Sequence, residues 1–129
     1  MTQNYKPADY NSVSPYFMVS DAERWVKLLS ELFDAKELSR YTRPGVGLVH
    51  AEIRIDDSVI MLSQATPDYP ASKFMMHVYV PDAIATYKKA VELGCTGLQE
   101  PIQKEDPDLR GMFMDYEGNT WAVGTKQEN

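Results

Sequence analysis

The chain of 129 residues has two histidines, His50 and His77, so any imidazole chemistry rests on those two positions. Imidazole titrates near neutrality and suits proton transfer or hydrogen bonding to a ligand. His77 lies two residues from both Met75 and Tyr79, which puts the three on one face of a strand. His50 and Glu52 share a face in the same way, and the sequence leaves open which face it is. These spacings make His77 a candidate general base or hydrogen-bond donor to a ligand, with Glu52 as a second acid-base group. The competing explanation is a histidine satisfied by a neighbouring strand or a dimer contact, since intermediate burial is ordinary for this residue. Arg110, between Asp108 and Gly111, and Arg43, in an Arg-Pro-Gly-Val-Gly loop that could act as a lid, each could clamp a carboxylate or phosphate; a surface ion pair is the commoner fate. Gly45 and Gly47 form no phosphate loop, because a strand rather than a helix follows them. Cys95 follows Gly94 with no basic neighbour and reads as a buried, inert thiol; a single cysteine excludes an intramolecular disulfide or a cysteine zinc site. No Ser-His-Asp arrangement can be argued from spacing.

The composition narrows the partners. Hydrophobic residues make up 43% and charged residues 25%, as in ordinary globular chains. Thirteen Lys and Arg against 19 Asp and Glu give a net charge of -6, which argues against broad binding to nucleic acid or an anionic membrane. No apolar run has the length of a signal peptide or a membrane span, so a soluble cytoplasmic protein is expected. Of seven methionines, Met18, Met61, Met75, Met76, Met112 and Met114 fall on predicted strands, where they either line an adaptable surface or fill core gaps.

The elements that position these residues repeat. Tyr-Phe-Met-Val-Ser-Asp-Ala from Tyr16 resembles His-Val-Tyr-Val-Pro-Asp-Ala from His77, and Asp21 precedes Asp82 by 61 residues. The same offset sets Val59-Ile60-Met61-Leu62 against Thr120-Trp121-Ala122-Val123. Each aspartate leads into a helix. The first is announced by a Ser20/Glu23 capping box and presents Ala22, Trp25, Val26, Leu29, Leu32 and Phe33 on one stripe. The second buries Ala83, Tyr87, Ala90 and Val91 and stops at Gly94. Strands follow at 49–55 and 109–114, with weaker candidates at 37–42 and 96–98. The chain thus reads as α+β: a first βαβββ module over 12–66, a second over 72–125, and an N-terminal arm over 1–11. Neither module is large enough to bury both faces of its sheet alone.

Several stretches carry a resemblance to a known superfamily: Val13-Ser14-Pro15-Tyr16 before Asp21, His50 to Ile55, Ser58 to Ser63, His77 to Asp82, Asp108 to Gly111, and Gly118 to Trp121. On these the chain resembles the vicinal oxygen chelate superfamily of glyoxalases, bleomycin-resistance proteins and dioxygenases, and within it a PhnB-like branch. Tyr116 departs from the proline that branch favours in its Asp-Pro-x-Gly turn. The resemblance implies two modules that curl into half-barrels around a cavity, usually in a homodimer. It also implies four metal-ligand positions, one near the start of the first strand and one on the last strand of each module.

Carried onto this sequence, those positions are Ser14, Met61, Met75 and Ala122, which supply no set of imidazole or carboxylate donors. No metal cofactor is therefore expected at the usual centre. The cavity implied by the resemblance would be lined by Tyr16, Met18, Met61, Met75, Tyr79, Arg110 and Trp121, and would take an apolar or aromatic small molecule. The alternative is a lyase, isomerase or dioxygenase-type enzyme acting on a small carbonyl or hydroxylated substrate, with His77 and Glu52 in acid-base or rearranged metal-ligand roles.

Overall fold

A computed structural model describes residues 5–127. Module one runs β1 (Tyr16–Val19), α1 (Ala22–Phe33), β2 (Lys36–Arg43), β3 (Gly47–Ile55) and β4 (Ser58–Gln64). Module two repeats the order as β5 (Met75–Tyr79), α2 (Ala83–Glu92), β6 (Thr96–Gln103), β7 (Asp108–Met114) and β8 (Thr120–Lys126). Each forms a four-stranded mixed sheet, ordered β1-β4-β3-β2 and β5-β8-β7-β6. No described helix is long and apolar enough to cross a membrane.

The repeat holds at the level of register. The parallel pairing of β1 with β4 sets Tyr16 beside Met61, and that of β5 with β8 sets His77 beside Ala122, the same positions 61 residues on. Both helices also begin alike. The Ala22 amide donates to Gln64 Oε1 at 3.0 Å and the Ala83 amide to Thr125 Oγ1 at 2.8 Å. A polar side chain ending the last strand of each sheet thus satisfies a helical N–H that would otherwise lack a partner.

Alternation divides each sheet into a helix-covered face and a helix-free face. Phe17, Val19, Ile53 and Leu62 point under α1, which buries Ala22, Trp25, Val26, Leu28, Leu29 and Leu32. The spacing of those helical positions is what buries a single stripe. Helix α2 is more weakly embedded than its sequence suggests: of the four expected core positions only Ala83 and Ala90 are buried, and Val91 is 45% exposed. Strand β6 runs to Gln103, longer than its predicted 96–98, through two register irregularities that keep it paired past Pro101.

One core serves both modules. Phe17 and Trp25 of module one pack on Trp121 of module two, with ring centroids 6.2 and 6.3 Å apart, and Phe33 meets the same indole at 5.2 Å. Burying such large rings is the main favourable term in joining the modules, of the order of 2–3 kcal/mol per ring.

The capping box does not form. Asp21 is the N-cap of α1, accepting from the Arg24 amide at 3.2 Å, while Glu23 reaches Arg40 on β2 instead. Ser20 is taken by module two: Glu117 in the β7–β8 turn accepts from the Ser20 amide (2.8 Å), the Ser20 hydroxyl (2.7 Å) and the Asp21 amide (3.0 Å). A buried carboxylate offers more than Glu23 could, since it satisfies three donors at once. Tyr116 adds to this junction by donating to the Asp21 carbonyl at 2.8 Å and stacking under the Arg24 guanidinium.

Candidate functional site

The helix-free face of module one gathers a chain of polar groups from four places in the sequence. The two-residue turn at Asp56-Asp57 pairs Ile55 with Ser58, and counting outward along that hairpin sets His50 opposite Ser63. His50 Nδ1 lies 3.1 Å from Ser63 Oγ and 3.0 Å from the Tyr16 hydroxyl, and the two hydroxyls are 2.5 Å apart. On its other side His50 Nε2 is 3.0 Å from Glu52 Oε2. Tyr10, from the segment preceding β1, donates to Glu52 Oε1 at 2.6 Å.

These contacts hold the Glu52 carboxyl below the usual carboxylate range, chiefly through the hydrogen bond from His50 and then that from Tyr10. The same bond pushes the Tyr10 phenol up to about 12. An ionised Glu52 facing Nε2 requires the ring proton there, so the neutral imidazole presents its Nδ1 lone pair to Tyr16 and Ser63.

On module two the counterparts are different residues. Arg110, which pairs with Gly124 as His50 pairs with Ser63, donates from Nε to His77 Nε2 at 3.0 Å. Its remaining guanidinium nitrogens reach Asp106 (3.0 Å) and Asp108 (2.8 Å), and Asp108 also accepts from the Tyr79 hydroxyl at 2.7 Å. Burial, followed by the Arg110 charge, lowers the His77 pKa from its ordinary value. Gly124 makes room for this: a Cβ there would come within 3.0 Å of His77 Nε2. With its Nε2 lone pair engaged by Arg110, a neutral His77 carries its proton on Nδ1 and offers a hydrogen-bond donor.

The structure therefore does not join His77 and Glu52 in one hydrogen-bonded group. They belong to different sheets and each has its own partners. Arg110 is no free clamp either, being an interior residue of β7 held by two aspartates. Arg43 closes a strand at a short hairpin turn whose Gly45 and Gly47 adopt positive φ, so it sits on no long lid.

Of the expected lining residues, Tyr16, Met75 and Tyr79 stand on the helix-free faces, 45%, 64% and 63% exposed, and Met18 and Met61 share the Tyr16 face half-buried. Trp121 is a correction. Its register opposite Phe113 turns it under α1, where it is 1% exposed and donates from Nε1 to Asp115 at 2.9 Å. Cys95 is buried, which pushes its thiol up to about 11.

Spacing alone missed the Ser63–His50–Glu52 alignment, because Ser63 and His50 meet only across the β3–β4 hairpin. Counting outward from the Asp56-Asp57 turn was the available signal. Among the described residues no three His, Cys, Asp or Glu side chains are grouped to hold a metal. A cleft of about 700 Å³ opens between the modules beside Phe33, Arg54, Val78 and Pro81, and includes none of the Tyr16–His50 group.

The chain is similar to known proteins in sequence and in fold. An uncharacterized protein of Mycobacterium bovis is 29% identical over 135 residues, an alignment covering 96% of this chain and 86% of that protein. The solved structure of TioX from a Micromonospora species matches with a TM-score of 0.71 at 18% identity, covering 92% of this chain and 98% of the other. TnmS3, an antibiotic binding protein from a Streptomyces species, matches with a TM-score of 0.68 at 22% identity over 91% and 98% of the two chains. The model of the Glyoxalase/Bleomycin resistance protein/Dioxygenase superfamily matches residues 11–123, nearly the whole described chain, and this protein belongs to that superfamily.

Proposed function

We propose that this protein binds a small apolar or aromatic molecule between the helix-free faces of its modules, that a second copy of the chain completes the cavity, and that binding uses no metal at the superfamily's four usual positions. The observation that carries the proposal is the exposed Tyr16, Tyr41, Met75 and Tyr79 on those faces, each at least 45% accessible in the single chain. Large apolar side chains left open around a few polar groups characterise surfaces that are covered in use. TnmS3, an antibiotic binding protein of the same fold, supports the same direction.

The metal-free part rests on donor chemistry. Ser14, Met61, Met75 and Ala122 offer no imidazole or carboxylate, and the strand register puts Tyr16 beside Met61 and His77 beside Ala122, so each pair still contributes one poor partner.

The test is a thermal-shift screen with planar aromatic compounds, run beside light scattering and elemental analysis of the purified protein. A ligand that binds the native state raises the melting point by mass action. The expected result is a dimer, stabilised by some of these compounds, without stoichiometric metal. A monomer that none of them stabilises, or bound metal lost on His77→Ala, would overturn the proposal.

A further inference from the structure

We propose that the Tyr16–Ser63–His50–Glu52 chain is the polar anchor of the ligand site and selects molecules that present a hydrogen-bond donor, with an aromatic hydroxyl, phenolic or enolic, as the class that fits. The inference rests on the ligand-binding function proposed above and adds to it the polarity of the ligand.

It comes from counting protons along the chain. Glu52 is the sink: Tyr10 donates to one of its oxygens and His50 Nε2 to the other. That fixes the ring proton on Nε2 and leaves Nδ1 as an acceptor for one of the two hydroxyls beside it. The hydroxyl that does not donate to Nδ1 donates to its neighbour, across the 2.5 Å contact between Tyr16 and Ser63. Every proton in the group then points toward Glu52, and each bond polarises the next in the same sense.

What remains at the open end is hydroxyl oxygen lone pairs on the helix-free face, with no proton left to offer. Tyr16 is 45% exposed, so a ligand can reach them, while the Tyr41 ring flanks His50 with centroids 5.6 Å apart and gives an aromatic ring a surface to rest on. An incoming hydroxyl completes the chain. An ether or ketone oxygen in the same place would face lone pairs and leave them desolvated without a partner. Module two differs: with Nε2 engaged by Arg110, His77 presents an Nδ1–H donor, while the Arg110 guanidinium is already held by Asp106 and Asp108. The acceptor end is therefore a property of module one and not of the fold as a whole.

Equilibrium dialysis with 2-naphthol, 2-methoxynaphthalene and naphthalene tests this on the full-length protein. The expected result is 2-naphthol binding about tenfold more tightly than 2-methoxynaphthalene, the factor one well-placed hydrogen bond supplies. In Glu52→Gln the ring tautomer is no longer fixed and the gap should shrink toward parity. Tyr16→Phe removes the half-exposed hydroxyl through which a ligand reaches the chain and should do the same if Glu52→Gln folds poorly. Equal affinity of the hydroxy and methoxy compounds in the unmodified protein, tighter binding of the methoxy compound, or a gap that persists in Tyr16→Phe would overturn the inference while leaving ligand binding standing. Failure of all three compounds to bind would overturn both.

Discussion

Replacing Asp115 by asparagine should unfasten the two modules from each other. Asp115 is 3% exposed in the β7–β8 turn. Its Oδ2 accepts from Trp25 Nε1 of module one and Trp121 Nε1 of module two, both at 2.9 Å. Its Oδ1 accepts from the Glu117 and Asn119 amides at 2.9 and 3.0 Å. Asparagine keeps the shape but has one acceptor oxygen. In either orientation its amide NH2 faces at least two buried N–H donors, the two indoles with a longer contact from Asn119 Nδ2 on one side or two backbone amides on the other, so at least two hydrogen bonds are lost whichever way it turns. At roughly 1–3 kcal/mol for each buried donor left unpaired, the cost is about 4 kcal/mol, a large part of the 5–15 kcal/mol that holds a typical domain. Urea denaturation followed by tryptophan fluorescence measures it as a fall in midpoint at unchanged slope. Trp121→Phe in the Asp115→Asn background should cost less than the sum of the single changes, because one stranded donor is removed with the indole. A loss below about 1 kcal/mol for Asp115→Asn, or strict additivity with Trp121→Phe, would show that the indoles do not depend on this carboxylate.

Three further outcomes are expected. Glu117→Gln sets an NH2 against either the Ser20 amide or the Asp21 amide and so gives up one backbone bond in either orientation, and hydrogen exchange at the start of α1 should accelerate while α2 is unaffected. Arg110→Gln removes a charge that disfavours imidazolium, and the His77 pKa followed by NMR should rise only part of the way to its ordinary value, because burial is the larger cause of its depression. Glu52 is held below the usual carboxylate range, so the folded state binds fewer protons there than the unfolded chain. The stability this confers is present above about pH 4.3, the ordinary glutamate value, and lost as pH falls through the lower folded value. Glu52→Gln should flatten that acid limb in a pH series of melting temperatures.

The fold was legible because duplication leaves a mark that local propensity does not. Asp21 and Asp82, Met61 and Ala122 lie 61 residues apart in the sequence and occupy matching places in the structure. The capping box was misread because Ser20 and Glu23 satisfy a local pattern, whereas the stronger acceptor comes from Glu117, almost a hundred residues away. Trp121 was misread for a related reason. Alternation says which residues share a face, but an indole large enough to anchor the joint core decides which face turns inward. Asp115 gave no signal either, since an acidic residue in a Gly/Asn turn is ordinary as a surface hairpin and exceptional only once two tryptophans converge on it.

The repeat explains the backbone, and departures from the repeat explain the chemistry. At equivalent places in the two sheets Tyr16 corresponds to His77, His50 to Arg110, and Ser63 to Gly124. The first member of each pair builds a chain that draws protons toward Glu52; the second places a guanidinium on an imidazole and two aspartates around it. Gly124 suits the second arrangement, because a Cβ where module one has Ser63 would lie 3.0 Å from His77 Nε2 and press the ring to shift by a few tenths of an ångström. Substituting serine there would not copy the module-one network, since Arg110 supplies no lone pair for a hydroxyl to donate to. The two faces have thus diverged in polarity: one presents hydroxyl lone pairs as hydrogen-bond acceptors and the other an imidazole N–H as a donor. This difference follows from single substitutions on a duplicated frame without any change in the frame.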